Sequence, residues 1–100
     1  MNRIEQVPAG QWSRWIEDNR GVMVDVREPR EWAQGVLPGS ERISLGAFPF
    51  QINALDHDTP VLVVCRSGAR SERAAQMLAQ AGFRRVANLA GGLVALGLAS

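Results

Sequence analysis

The chain has one cysteine, Cys65, and it stands in the run Cys65-Arg66-Ser67-Gly68-Ala69-Arg70. A thiol with an arginine on either side and a glycine between them has the makings of an anion-handling nucleophile. Successive backbone amides in a tight loop converge into an anion-binding nest. Gly68 lets such a loop turn with positive φ and come close to a ligand. Arg66, Arg70 and Arg73 against Glu72 leave two positive charges over residues 65–73, while the whole chain nets only +1. Each of these features favours a thiolate over a thiol, and the thiolate is the nucleophile. The alternative is a small buried hydrophobe at the end of a strand, as many lone cysteines are. Two arginines beside a merely structural thiol have no packing logic, so the functional reading is preferred.

The loop needs elements that aim it. Pro60 introduces a continuous apolar run over residues 61–65, the mark of a strand buried on both faces. Residues 66–70 read as a tight loop. Residues 71–81 read as a helix, with Ala74, Ala75, Leu78 and Ala81 on one face and Gly82 capping the end. The sulfur thus faces a helix N-terminus, with its unpaired amides and partial positive charge. It also lies beyond the carboxyl end of its strand, where open α/β sheets bind ligands.

Upstream, residues 3–7 suggest a short edge strand. Trp12, Trp15 and Ile16 share a face of the next helix, and Gly21 is expected to end it as a left-handed cap. Residues 22–26 form a second buried strand. Residues 28–34 suggest a short helix with Pro29 in its first turn and Gly35 closing it. Residues 43–45 suggest a short strand, and residues 48–55 a weaker helix interrupted by Pro49. Residues 85–88 make a last strand, and Gly91-Gly92 begins a short apolar helix. Strands alternating with helices imply an α/β domain with a mainly parallel sheet.

Composition excludes much else. One hundred residues allow one domain, spanning 1–100, and 46% hydrophobic with 21% charged residues is ordinary for a globular chain. A net charge of +1 gives no case for nucleic acid. One cysteine and one histidine (His57) make neither an intrachain disulfide nor a zinc site, and no lysine means no Schiff base and no P-loop. No apolar run is long enough to span a membrane, and residues 1–5 lack the apolar stretch of a signal peptide. A reduced cytoplasmic thiol is therefore expected.

Several side chains have two readings. Asp25 and Arg27 end the second strand; Arg27 and Glu31 are spaced to pair across a helical turn, tying strand to helix. Asp25 could instead brace the Cys65 loop by accepting hydrogen bonds. Ser67 either donates to the sulfur, the preferred reading, or supports the turn. His57, between two aspartates, reads as a solvated loop residue. The three tryptophans fit packing positions. The apolar tail, residues 93–99, either packs on the sheet or leaves an exposed patch.

Cys65-Arg66-Ser67-Gly68-Ala69-Arg70-Ser71 resembles the active-site loop of rhodanese-like sulfurtransferases. Asp25-Val26-Arg27-Glu28-Pro29-Arg30-Glu31-Trp32 resembles that family's upstream Asp-x-Arg…Glu-aromatic motif. Gly35-Val36-Leu37-Pro38-Gly39-Ser40 resembles its Gly-His-Ile-Pro-Gly-Ala segment, and Leu89-Ala90-Gly91-Gly92 its closing Gly-Gly. The motifs fall in the family's order over nearly the whole chain. Val36 replaces the usual His, and the usual Trp after Gly91-Gly92 is missing, with Leu93 and Leu96 in that stretch.

The resemblance implies a rhodanese-like three-layer α/β/α fold around a central, mainly parallel five-stranded sheet. It implies a thiosulfate sulfurtransferase with Cys65 as the catalytic nucleophile, passing through a persulfide. Arg66, Ser67, Gly68, Ala69 and Arg70 would bind the substrate, and Asp25 and Arg27 would stand behind them. The partners would be a small anionic sulfur donor and a thiol or cyanide acceptor, or a protein that takes the sulfur. No metal and no organic cofactor would be needed. One rival is a phosphatase or arsenate reductase. Those loops resemble Cys-x5-Arg with His before the Cys, whereas here Val64 precedes Cys65-x4-Arg70, a smaller ring. The other rival is a persulfide relay or a non-catalytic binding module on the same fold.

Overall fold

Val61, Leu62, Val63 and Val64 offer no polar side to water, so the strand they form must lie inside a sheet. In the computed structural model, which describes residues 4–99, it does: β4 (Val61–Val64) is buried along its whole length. It pairs with β2 (Val22–Asp25) on one side and β5 (Val86–Ala90) on the other. Outside these lie β3 (Glu41–Arg42) and β1 (Ile4–Pro8), giving the order β1-β5-β4-β2-β3 with every pair parallel. Arg3, expected in the first strand, lies outside the described residues, as do Met1, Asn2 and Ser100.

Side chains alternate across this sheet. On one face Val24, Val26, Val61, Val63, Cys65 and Val86 meet Ala74, Ala75 and Leu78 of α4 (Ala69–Gln80), together with Phe48 of α3 (Phe48–Gln51). On the other, Val7, Met23, Leu62, Val64 and Leu89 meet Trp15 of α1 (Trp12–Asn19) and Leu93 of α5 (Gly92–Ala95). The result is the expected three-layer α/β/α arrangement. Leu93 is 2% exposed, so an aliphatic side chain fills the last helix's contact with the sheet. Leu98, farther along the tail, is exposed. No helix among the described residues is long and apolar enough to cross a membrane.

Several boundaries differ from expectation. α1 ends on Arg20, which takes the left-handed conformation (φ 50°) assigned in the sequence to Gly21. Gly21 answers a different demand: a Cβ there would stand 2.9 Å from the Trp15 ring and 3.0 Å from Pro60 O. The helix expected over residues 28–34 is one turn, α2 (Pro29–Trp32), followed by tighter bonds from Gln34 N to Glu31 O and Gly35 N to Trp32 O. Pro49 lies in the first turn of α3 rather than breaking it, and the chain tightens into a 3-10 turn at Ile52–Ala54. β3 lies at Glu41–Arg42, before the expected residues 43–45. Both strand residues are exposed at the sheet edge, so no apolar alternation marks them; Ile43, buried beyond the strand, still donates to Asp25 O. α4 begins at Ala69, so Ala69 and Arg70 belong to the helix rather than the loop. β5 runs two residues past its expected end.

Gly92 carries the tightest steric demand. Its φ is +58°, and a Cβ there would stand 2.5 Å from Arg66 O and 2.6 Å from Cys65 O. Both carbonyls are fixed backbone, so Gly92→Ala should lower stability by at least about 2 kcal/mol. Gly10→Ala, where nothing lies within 4 Å, should stay within about 0.5 kcal/mol. Denaturant midpoints compare the two; equal values would remove the constraint from Gly92.

Candidate active site

Cys65 is the first residue beyond β4, and it is 1% exposed. Its side chain faces α4, because it alternates with Val61 and Val63 on that face. Its carbonyl is turned the other way and accepts Leu93 N at 3.0 Å; Arg66 O accepts Val94 N at 2.9 Å. Gly68 then reverses the chain with φ +102°. This reversal brings two backbone donors and a hydroxyl to the sulfur. Gly68 N–H donates to Sγ at 3.1 Å and Ser71 N–H at 3.3 Å. Ser71 Oγ lies 3.2 Å from Sγ. The nest expected from the sequence is therefore made of the Gly68 amide and the first turn of α4.

The hydroxyl at the sulfur belongs to Ser71; Ser67 is exposed in the loop. Ser71 is fully buried, and its Oγ also bonds Asn88 Oδ1. The sequence places Ser71 at the end of the family-like loop but gives neither residue a role at the sulfur. A signal existed for Asn88: a polar residue inside the apolar β5 must find partners when buried. Ser71 was hidden because the helix was started there, which made it a helix terminus rather than a wall of the site.

Arg70 projects from the first turn of α4 to α2. Its Nη1 and Nη2 donate to Glu31 Oε1 and Oε2 at 2.6 and 2.8 Å, a two-point ion pair. That pair, helped by the Glu28 N–H and opposed by partial burial, holds the Glu31 carboxyl down at about 2, against an ordinary 4.5. The same hydrogen bond raises Arg70, and the nearby sulfur of Cys65 adds to the effect. Arg70's two terminal nitrogens are thus held by Glu31, and one of the loop's positive charges is balanced. Arg66 and Ala69 are exposed.

Arg27 does not pair with the Glu31 carboxylate. Its Nε and Nη2 bond the Asp25 carboxylate at 3.1 and 2.9 Å, and Nη2 also donates to Gly35 O at 2.7 Å. Asp25 is 1% and Arg27 3% exposed. The short reach between them, with Arg70 taking Glu31, explains the exchange of partners. Asp25 accepts from Arg27 N, Nε and Nη2, which anchors the end of β2 to the Gly35 turn. His57 lies before the opposite end of β4, its ring 4.3 Å from that of Phe83. No group of three or more His, Cys, Asp or Glu among the described residues is placed to hold a metal ion.

The chain has relatives of known family and fold. The family model for the rhodanese-like domain matches residues 9–98. A sulfurtransferase of Allochromatium vinosum is 36% identical over 92% of this chain and 87% of its own. The thiosulfate sulfurtransferase GlpE of Pseudomonas paraeruginosa is 37% identical over 92% of this chain and 84% of its own. A crystal structure from Staphylococcus saprophyticus superposes with a TM-score of 0.81 at 31% identity, covering 90% of both chains.

The Glu31–Arg70 pair gives a pH signature. The folded carboxyl is depressed, so its stabilisation is present above the ordinary 4.5 and is lost as pH falls toward about 2. Glu31→Gln should flatten stability over that interval and leave the slope at higher pH unchanged. Denaturation across a pH series reads this; parallel curves for both proteins would remove the pair from the acid limb.

Proposed function

The chain belongs to the rhodanese-like family, whose sulfurtransferase relatives support sulfur transfer as its activity, and on that premise we propose that it carries sulfane sulfur from thiosulfate, or a similar anionic donor, on Cys65. One observation carries the reading: Sγ sits at the end of β4 and accepts from Gly68 N–H and Ser71 N–H. Converging backbone donors stabilise negative charge on the sulfur they address.

The steps follow from that charge. The Cys65 thiolate attacks the sulfane sulfur of thiosulfate, a new S–S bond forms, and the bond to the sulfonate sulfur breaks. Sulfite leaves with the electron pair, and Cys65 carries a persulfide. A thiolate or cyanide then attacks the outer sulfur, and Cys65 departs as the thiolate. No net oxidant or reductant enters. Acceptors include small thiophiles and a protein thiol. A reducing cytoplasm suits a lone catalytic thiol in a one-domain enzyme.

Arg66 and the Arg70 guanidinium are assigned to the donor's sulfonate, and the Ser67–Arg70 amides to the persulfide on Cys65. A guanidinium matches an oxyanion face through two parallel N–H bonds. Arg70 reaches the donor only by sharing or exchanging Glu31, so Glu31 competes with substrate for it. Asp25 and Arg27 act from behind by fixing the end of β2.

Two measurements test the assignment. Mass spectrometry after thiosulfate treatment should find one added sulfur atom, removed by cyanide and absent from Cys65→Ser. No adduct on the wild type, or the same adduct on the variant, would sink the reading. In steady-state kinetics, Arg70→Ala should raise the thiosulfate KM about tenfold, the worth of one charge-assisted contact. Glu31→Gln should lower it. A KM that moves with neither substitution removes the Glu31–Arg70 pair from donor binding.

A further inference from the structure

Ser71 Oγ stands between two partners, Cys65 Sγ at 3.2 Å and Asn88 Oδ1. A hydroxyl has one proton and donates to one of them at a time. Beyond Asn88 the chain of hydrogen bonds runs on: Asn88 Nδ2 donates to Gln6 Oε1 at 3.0 Å, and Gln6 Nε2 donates to Glu72 Oε1 at 2.9 Å. Strand register builds this path. Gln6 on β1 lies opposite Asn88 on β5, and Asn88 lies opposite Val63 on β4, two residues before Cys65 and on the same face. Glu72 follows Ser71 in the first turn of α4, so the path ends on the helix where it began.

The polarity of the path is set from its outer end. An ionised carboxylate only accepts. Gln6 must turn its NH2 to Glu72 and its carbonyl to Asn88. Asn88 must turn its NH2 to Gln6 at 3.0 Å; Gly68 O, 3.5 Å away at the limit of a hydrogen bond, favours the same orientation without fixing it. Its carbonyl oxygen is left facing Ser71. Asn88 is 4% exposed, and a buried oxygen needs a donor, which is the Ser71 O–H. Toward the sulfur Ser71 then presents a lone pair. That suits an S–H and repels an S⁻.

We propose that ionised Glu72, acting through Gln6, Asn88 and Ser71, holds the Ser71 hydroxyl as an acceptor toward Cys65 and so restrains formation of the thiolate. Glu72 is a positioning residue: it touches neither the sulfur nor the donor. The two backbone amides favour the anion, and the side-chain path opposes them. To help the anion, Ser71 must abandon Asn88, or both amides must turn over and Glu72 must present a proton to Gln6 Oε1. The Cys65 proton itself leaves to water.

Other charges surround the sulfur. The loop and α4 supply Arg66, Arg70 and Arg73 besides Glu72; α2 supplies Glu31 on Arg70; β2 supplies Asp25, paired with Arg27. β5 and α5 supply none. The test must therefore separate the path from Glu72's own negative charge.

The sequence makes the readout clean: one cysteine and no tyrosine leave the ultraviolet absorbance of thiolate formation unobscured. Glu72→Gln and Gln6→Leu should each raise the thiolate-to-thiol ratio about tenfold across a pH series, the worth of a hydrogen bond to a charged group. The double variant should exceed neither single one: a glutamine at 72 can present either end of its amide to Gln6 and a leucine at 6 presents neither, so both release the same imposed polarity. Both sites are at the surface or half-exposed, so the variants keep the core intact. A rise in Glu72→Gln alone would mean a through-space charge effect and overturn the path. A rise in Gln6→Leu alone, additive rises, or no rise would overturn it as well. The proposal rests on Cys65 as the site's nucleophile, but the readout uses no donor. A protein that took up no sulfur would fail the mass-spectrometric test and leave this one standing.

Discussion

A loop that points its amides at a sulfur must point its carbonyls somewhere else, and those carbonyls need partners. That constraint organises the carboxyl end of the sheet. Cys65 O and Arg66 O face away from the sulfur and are taken by Leu93 N and Val94 N at the start of α5. The approach is so close that only a residue without Cβ fits at Gly92. The two elements therefore depend on each other. α5 has four residues and could not stand alone as a helix. It is held by the loop carbonyls and by Leu93 in the core, and in return it keeps the loop's peptide planes oriented.

Arginines are arranged with similar economy. Arg27 lies on Asp25, and Arg70 on Glu31. An unpaired buried guanidinium would cost several kcal/mol, so Arg27 at 3% exposure requires its carboxylate. With Arg27 and Arg70 engaged by carboxylates, the contacts to the sulfur come from the backbone amides of Gly68 and Ser71 and from the Ser71 hydroxyl. Dipoles on a rigid loop do not reorganise when charge appears, which is what electrostatic preorganisation demands. A field of free arginines would draw anions from solution but would hold no particular one in place.

Most of the fold was legible because the central strands β2 and β4 are apolar runs and helices alternate with the strands. β4 and the face of α4 came directly from residue type. What stayed hidden shares one cause: it depends on contacts distant in sequence. β3 is two exposed residues whose only mark is pairing with Val24 and Asp25. Arg27 was matched to Glu31 by spacing, yet the choice was decided by Arg70, 39 residues away from Glu31. Cys65 and Gly68 were readable as site residues from the loop itself. Ser71 became one only when α4 was seen to begin two residues earlier, and Asn88 only when β5 was laid beside β4.

The donors around Sγ differ in kind, and the difference matters for control. The amides of Gly68 and Ser71 are fixed by the backbone; each points its hydrogen at the sulfur in every protonation state. The Ser71 hydroxyl alone among the three has a proton that rotates. A constant cradle sets how well a sulfur anion is tolerated, whereas a rotating one responds to its surroundings. Any group outside the loop that influences the sulfur through its hydrogen bonds with these three groups must therefore act at the Ser71 hydroxyl. Asn88, buried behind it on β5, is the partner that faces that hydroxyl. The sheet register that brings Asn88 beside Gln6 consequently connects the sulfur's hydrogen-bond surroundings to β1, the edge strand farthest from it in sequence.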